Sequence, residues 1–275
     1  QEQAHYSEYF VHLRESMPLA DIQNKIINQD IHEALPFLPH EFVDLLIMDP
    51  PYNLTRQFNR YKFSRVKKNE YLDYIDSLIK PMIRLLKPNA SIYFCSEWQS
   101  SLAVYEVLSE YFYVRNRIVW EREKGRGSYY NWKNSSEDVW FATLGHKYTF
   151  NVESVKLKKR IIAPYRHHDG RPKDWQESEE GNYRLTYPSN IWTDVTVPYW
   201  SMAENTDHPT QKPEKLLAKL VLASSHQGDM VFDPFAGSGT SVIVARKLGR
   251  RYVAVEMDRY YCSLIAKRID MADSE

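Results

Sequence analysis

The 275-residue chain has no excess of charge of either sign, since 36 lysines and arginines balance 36 aspartates and glutamates. Bulk charge therefore announces no nucleic-acid partner, and any basic footprint has to be local. Cysteine is scarce. Cys95 and Cys262 are the only two, both in apolar runs, which excludes a disulfide framework and suits a reducing compartment. No apolar stretch reaches membrane-spanning length, and residues 1–13 lack the charged-then-apolar pattern of a secretory signal. Internal repeats and low-complexity segments are also missing. So is Gly-x-x-x-x-Gly-Lys-Ser/Thr, which argues against an NTPase phosphate loop. The expectation is a soluble, cytoplasmic enzyme, long enough for one α/β catalytic domain with a modest insertion.

What is present is an alternation of short apolar runs and helical patterns, the signature of a sheet covered by helices. Strands are expected at Lys25–Asn28, Phe42–Met48, Ser91–Cys95, Met230–Phe232 and Tyr252–Val255. Tyr113–Trp120 and Asp138–Leu144 have no obvious helix between them and read as an antiparallel pair at one edge, giving seven strands. Helical spacing over Glu70–Leu86 is carried by Tyr71, Tyr74, Ile75, Leu78, Ile79, Met82 and Leu85, and Lys87-Pro88-Asn89 predicts its end. Between Phe150 and Met202 the periodicity fades, and basic residues interleave with Tyr165, Trp175 and Tyr183.

Three clusters sit where a strand gives way to a loop, the place where open α/β sheets bind ligands. In Asp233-Pro234-Phe235-Ala236-Gly237-Ser238-Gly239-Thr240, two glycines one residue apart permit a tight turn and close approach of a ligand to the backbone. The helix that follows offers free N–H groups. Nearly twenty residues on, Glu256 ends the next strand, where an acid takes ribose hydroxyls. A tight turn beside a surface glutamate is the plainer reading, and the spacing favours a nucleotide site. In Asp49-Pro50-Pro51-Tyr52 the prolines remove two N–H donors and leave carbonyls free. A carboxylate and a carbonyl together can accept both hydrogens of an –NH2 group, and Tyr52 offers a flat face for a planar ring. That is a pocket for an aromatic amine such as a flipped base, against the alternative of a simple strand-ending turn. His208-Pro209-Thr210-Gln211-Lys212-Pro213 is a polar loop entering a helix and means little by itself.

In chain order, Asp-Pro-Pro-Tyr, then a variable insertion, then His-Pro-Thr-Gln-Lys-Pro, then Asp-Pro-Phe-Ala-Gly-Ser-Gly-Thr, the motifs resemble the β-class amino-group DNA methyltransferases, over roughly Lys25–Ile269. Related enzymes acting on release factors or RNA place the glycine turn before the proline motif; here it follows. The resemblance implies a Rossmann-like α/β fold, a seven-stranded mixed sheet with helices on both faces and a circularly permuted motif order. Catalytic residues 1–149 and 203–275 would enclose a target-recognition insertion at 150–202. It implies S-adenosylmethionine as cofactor, with Asp233, Phe235, Ala236, Gly237, Ser238, Gly239 and Thr240 along its methionine end. Glu256 would take its ribose, Asp30 would lie near its adenine, and Thr210 with Lys212 would close over its carboxylate. Asp49, Pro50, Pro51 and Tyr52 would hold the target base.

Asp at the first motif position accompanies adenine more often in this family and Ser cytosine. N6 of adenine is therefore the expected target and N4 of cytosine the alternative, with RNA methylation or an inactive DNA-binding protein behind them. Neither cysteine is in a Pro-Cys context, which argues against ring-carbon methylation. Double-stranded DNA is the expected partner, and the resemblance also allows a homodimer and a cognate restriction endonuclease. Arg56, Arg60, Lys62, Arg65, Lys67 and Lys68 form a loop with almost no acid, suited to phosphates beside a flipped base, or else to plain solvation. Lys158, Lys159 and Arg160 are the candidate contacts of the insertion. No metal site is expected, since His167 and His168 have no partnering cysteines or spaced acids.

Overall fold

The computed structural model describes residues 6–58, 61–122, 127, 129–161, 165–179 and 181–273. In chain order its strands begin with Phe10–Val11 (β1), Lys25–Ile27 (β2) and Val43–Met48 (β3). A ribbon of Arg56–Phe58 (β4) and Tyr61–Phe63 (β5) follows, then Leu86–Ser96 (β6), Tyr113–Glu121 (β7) and Ser136–Thr143 (β8). A second ribbon pairs Leu157–Arg160 (β9) with Tyr183–Thr186 (β10), before Ile191–Trp192 (β11), Met230–Asp233 (β12) and Arg251–Val255 (β13). One nine-stranded sheet has the order β1-β2-β13-β12-β3-β6-β8-β7-β11. The seven expected strands make up its body, and a two-residue strand, too short to show a period, extends it at each edge. β8 runs antiparallel to β6 and β7, while the other pairs are parallel.

Alternate side chains of the central strands enter two different cores. Leu46 and Met48 of β3, with Ile92 and Phe94 of β6, pack against helices Lys68–Met82 and Ser101–Tyr111. Leu45, Ile47, Tyr93 and Cys95 face Glu214–Ser224, Thr240–Lys247 and Arg259–Asp273. A strand covered on both faces has to be apolar throughout, which is why β3 reads as one continuous run. Each of these side chains contributes roughly 1.5–3 kcal/mol by leaving water. The exception, Asp44, is buried with partners: Lys87 Nζ at 2.7 Å and the Met230 N–H at 2.8 Å.

The helix expected over Glu70–Leu86 is shorter at its far end. It spans Lys68–Met82, passes through a 3-10 turn at Ile83–Leu85, and Leu86 already belongs to β6. Pro81 has no N–H to continue the ladder, so the helix closes within a turn of it. Pro88 lies in the first, irregular part of β6, where the register with β3 shifts between Val43 and Leu45.

The stretch from 150 to 202 is tied to the main body at both ends. Asn151 donates from its side chain to Leu222 O (3.0 Å) and Ser225 O (2.9 Å) at the end of helix Glu214–Ser224, and Trp192, Val195 and Val197 join the core beside Trp120. Between these anchors the β9–β10 ribbon carries an excursion. Its charges are largely internal: Arg166 meets Glu177 at 2.9 Å, Arg171 meets Asp169 at 2.6 Å and Arg184 meets Asp174 at 3.4 Å. No described helix is long and apolar enough to cross a membrane.

Candidate active site

Parallel strands deliver their carboxyl ends to one edge of the sheet, and four expected site segments leave from there. β2 leads to Asp30, β13 to Glu256, β12 to the glycine turn and β3 to Asp49, and β6 adds Glu97, which was not singled out from sequence. β12 and β3 are neighbours, with Phe232 opposite Leu46, so the glycine turn and the tetrapeptide adjoin although they come from opposite halves of the chain. Both line one cavity of about 660 Å3, within the size range of small-molecule sites.

The glycine turn is held by its own acids. Asp233, at the end of β12, accepts from the Phe235 N–H at 2.9 Å and from the Ser241 hydroxyl. Burial pushes its carboxyl up to about 6. Gly237 has φ +53° and Gly239 φ +77°, both left-handed. A Cβ on Gly237 would stand 3.0 Å from His208 Nε2, and one on Gly239 would stand 2.7 Å from the Ile265 side chain. Glu256 accepts from the Gly237 N–H at 2.9 Å and the Asp258 N–H at 2.7 Å, and burial pushes it up to about 7. Asp30 caps helix Ile31–Ala34, accepting from the His32 N–H at 2.8 Å. Asp30, Asp233, Phe235, Ala236, Gly237 and Ser238 lie on the cavity wall. Thr240, Glu256, Thr210 and Lys212 lie there too. Gly239 stands behind the wall, where its missing side chain lets helix Arg259–Asp273 close on the turn.

At the tetrapeptide a charged cluster surrounds Tyr52. The Lys212 ammonium donates to Asp49 Oδ1 (2.8 Å) and Oδ2 (2.7 Å) and to the Tyr52 hydroxyl (3.0 Å), and lies 3.4 Å from Glu137 Oε2. The Tyr52 hydroxyl reaches Asp49 Oδ1 at 3.0 Å and Glu137 Oε2 at 3.2 Å. Arg122 pairs with the other Glu137 oxygen. Burial alone would lower the lysine, but Asp49 and Glu137 hold it well above the usual range. Burial would likewise raise Glu137, but Lys212 and Arg122 outweigh it and hold the carboxyl low. Burial and the two carboxylates push the Tyr52 phenol far up. His208 is pushed down to about 4, first by burial and then by Lys212, so it is neutral at pH 7.

Glu137 and Arg122 were not singled out from sequence. Their signal is topological: β8 runs backwards, so its first residues reach the edge where the parallel strands end, with Asp138 opposite Ser96. Gln211 was also passed over. It fixes the 206–212 loop by accepting from Thr206 N–H (2.9 Å) and hydroxyl (2.6 Å) and donating to Glu204 O at 2.5 Å.

The expected basic loop after Tyr52 is a ribbon, β4–β5, closed at its base by Asn53, which exchanges two hydrogen bonds with Val66 (2.8 and 3.0 Å). Tyr61 and Phe63 line the cavity, while Lys62, Arg65 and Lys67 are exposed. Lys68 pairs with Glu106 at 3.1 Å. Arg60 lies outside the described residues; Arg56 belongs to β4. In the insertion Lys158, Lys159 and Arg160 are exposed along β9, with Lys158 Nζ 4.2 Å from the Tyr183 ring centre. Of the three aromatic rings expected there, Trp175 is buried under Arg166 and Tyr183 bonds Gln176 at 2.6 Å, which leaves Tyr165 broadly exposed.

Residues 43–268 match the family model N6_N4_Mtase, described as DNA methylase. The DNA adenine methyltransferase YhdJ of Escherichia coli (strain K12) is 32% identical over 260 residues, covering 90% of this chain and 83% of the relative. Among solved structures, a complex of M1.HpyAVI with SAM matches with a TM-score of 0.59 at 21% identity, over 89% of this chain and 98% of that one. The cytosine-N4-specific PvuII DNA methyltransferase matches with a TM-score of 0.64 at 18% identity, over 90% and 91%. Both share the fold described above.

Proposed function

Because this chain belongs to the N6/N4 family of DNA methylases, we propose that it transfers a methyl group from S-adenosylmethionine to N6 of adenine in DNA. The observation that carries the reading is one cavity in which Asp49 stands at the strand end next to the glycine turn. The cavity's features fit the cofactor. Gly237 lies on the cavity wall with a left-handed backbone and no side chain to press on His208, and each Glu256 oxygen has one backbone donor and a lone pair to spare for a ribose hydroxyl. Asp30, Phe235, Ala236, Ser238, Thr240 and Thr210 complete that wall.

When bound, the cofactor supplies an electrophilic methyl group on a sulfonium centre. The protein's part is to make an amine nucleophilic and hold it in line. An exocyclic amine conjugated with its ring is a poor nucleophile. Hydrogen bonds from it to Asp49 and the Pro50 carbonyl favour a more tetrahedral nitrogen, while Pro51 stiffens the turn and Tyr52 stacks on the ring. An ionised carboxylate offers about four lone-pair directions. Tyr52 and Lys212 take those of Oδ1 and Lys212 one on Oδ2, so Oδ2 keeps an open side for the amine. Positioning of this kind contributes much of the acceleration, with no covalent enzyme intermediate.

Two points favour adenine: Asp heads the tetrapeptide, and a relative 32% identical is named as an adenine methyltransferase. Cytosine N4 is the second reading, since both amines stand beside a ring nitrogen and the same acceptors serve either. The test is incubation with radiolabelled cofactor and unmethylated genomic DNA, digestion to nucleosides, and the same with Asp49→Ala. Label in N6-methyladenosine that vanishes in the variant is expected. Label in N4-methylcytosine would overturn the base, and unlabelled DNA the whole reading.

A further inference from the structure

Ahead of β8, Asn131, Trp132 and Lys133 line the same cavity. Trp132 is 97% exposed and Tyr129 fully exposed; Trp120, Trp140, Trp175 and Trp192 are buried, while Trp98 and Trp200 are also exposed. An indole left almost wholly in water at the wall of the candidate site packs against little of its own protein. Single exposed aromatics are unremarkable elsewhere on a surface, but this one stands at the entrance to the site.

On the tetrapeptide's own side, the β4–β5 ribbon lines the same cavity through Tyr61 and Phe63 and exposes Lys62 and Arg65 to solvent. The entrance thus combines cations suited to phosphates with a bare flat ring. Asp49 lies within the cavity with its side chain 23% exposed, so a duplex base reaches it only after leaving its stack. Leaving creates a gap of base thickness, and apolar side chains that enter such gaps stabilise the opened duplex.

We propose that Trp132 enters the DNA duplex and stacks in the gap vacated by the flipped target base. This rests on the DNA-methylation reading above and adds to it the residue that holds the duplex open. The occupant is double-stranded DNA rather than a protein, because cations flank the ring and the pocket behind it takes a planar amine.

The test uses the full chain and two duplexes carrying the site mapped from labelled genomic DNA. In one the target base is paired; in the other it faces an abasic position, so little is left to unpair. Single-turnover methylation is measured for wild type, Trp132→Ala and Trp132→Phe, with cofactor binding measured in parallel. Trp132→Ala should be about 5- to 150-fold slower on the paired duplex, the equivalent of one lost stacking contact. It should approach wild type on the abasic duplex, with Trp132→Phe between and cofactor affinity unchanged. Equal rates for wild type and Trp132→Ala on paired DNA would overturn the proposal. So would equal slowing on both duplexes, which marks general damage. A wild-type protein inactive on both duplexes would instead sink the methylation reading, and this inference with it.

Discussion

Replacing Lys212 by Met keeps most of the side chain's bulk and removes the one cation that touches both Asp49 and Glu137. The Lys212 and Glu137 side chains are 10% and 6% exposed and that of Asp49 23%, so water can take over only part of the interaction. Breaking one side of a buried pair typically costs about 3–5 kcal/mol, mostly from the charge left behind. Arg122 still compensates Glu137 and Asp49 is partly wet, which puts the expected loss near the lower bound, about 3 kcal/mol. For a chain of this size that is a fall in Tm of roughly 6–12 °C. Adding Asp49→Asn to Lys212→Met removes the orphaned charge, so the double variant should recover about 2 kcal/mol of that loss. Urea unfolding of wild type, both single variants and the double variant closes the cycle. A Lys212→Met cost under about 1 kcal/mol, or strictly additive variants, would refute the argument that this cluster is an electrostatic unit.

Four further outcomes are expected. Because burial holds Glu256 near 7 and its ionised form accepts the ribose hydroxyls, cofactor Kd should rise about tenfold from pH 8 to pH 6, a dependence lost in Glu256→Gln; calorimetry at several pH values checks it, and a flat wild-type profile would contradict it. The same raised value makes the free protein lose stability as pH climbs from about 4.5 to about 7, since the folded state there retains the extra proton. Gly239→Ala should cost about 2–5 kcal/mol, combining left-handed backbone with crowding of Ile265, whereas Gly228→Ala, with φ +83° but open space around it, should cost only about 1–2; similar losses at both sites in urea would remove the crowding term. Substituting Lys62 and Arg65 by Gln should make the slope of log Kd for DNA against log salt shallower by about 1.8, and an unchanged slope would show that the ribbon does not contact phosphates.

The central strands were legible because each is buried on both faces, so that Val43–Met48 needs no tertiary context to announce itself. The acids at strand ends were legible for a related reason: Asp49 and Glu256 interrupt apolar runs where the chain has to turn. Glu137 escaped because it stands at the start of its strand instead of at its end, and only a reversed strand makes that position part of the site. In the sequence the cations of the insertion read as basic residues interleaved with aromatics. In the fold Arg166, Arg171 and Arg184 are paired with acids two to eleven residues away, a matter of side-chain geometry that spacing does not reveal. Helix Lys68–Met82 ends early because Pro81 sits inside an otherwise unbroken periodic pattern.

The adjacency of β12 and β3 has a consequence for how the protein comes into being. The Met230 N–H meets Asp44 across 186 positions of sequence, and the strands on either side of that contact carry the two halves of the cavity. During synthesis the tetrapeptide emerges early and waits without its neighbouring strand, its acids exposed and its apolar flank uncovered. Closing so long a loop is slow and comes late. A ribosome product that stops short of Met230 therefore lacks the glycine turn altogether and carries only one half of the cavity.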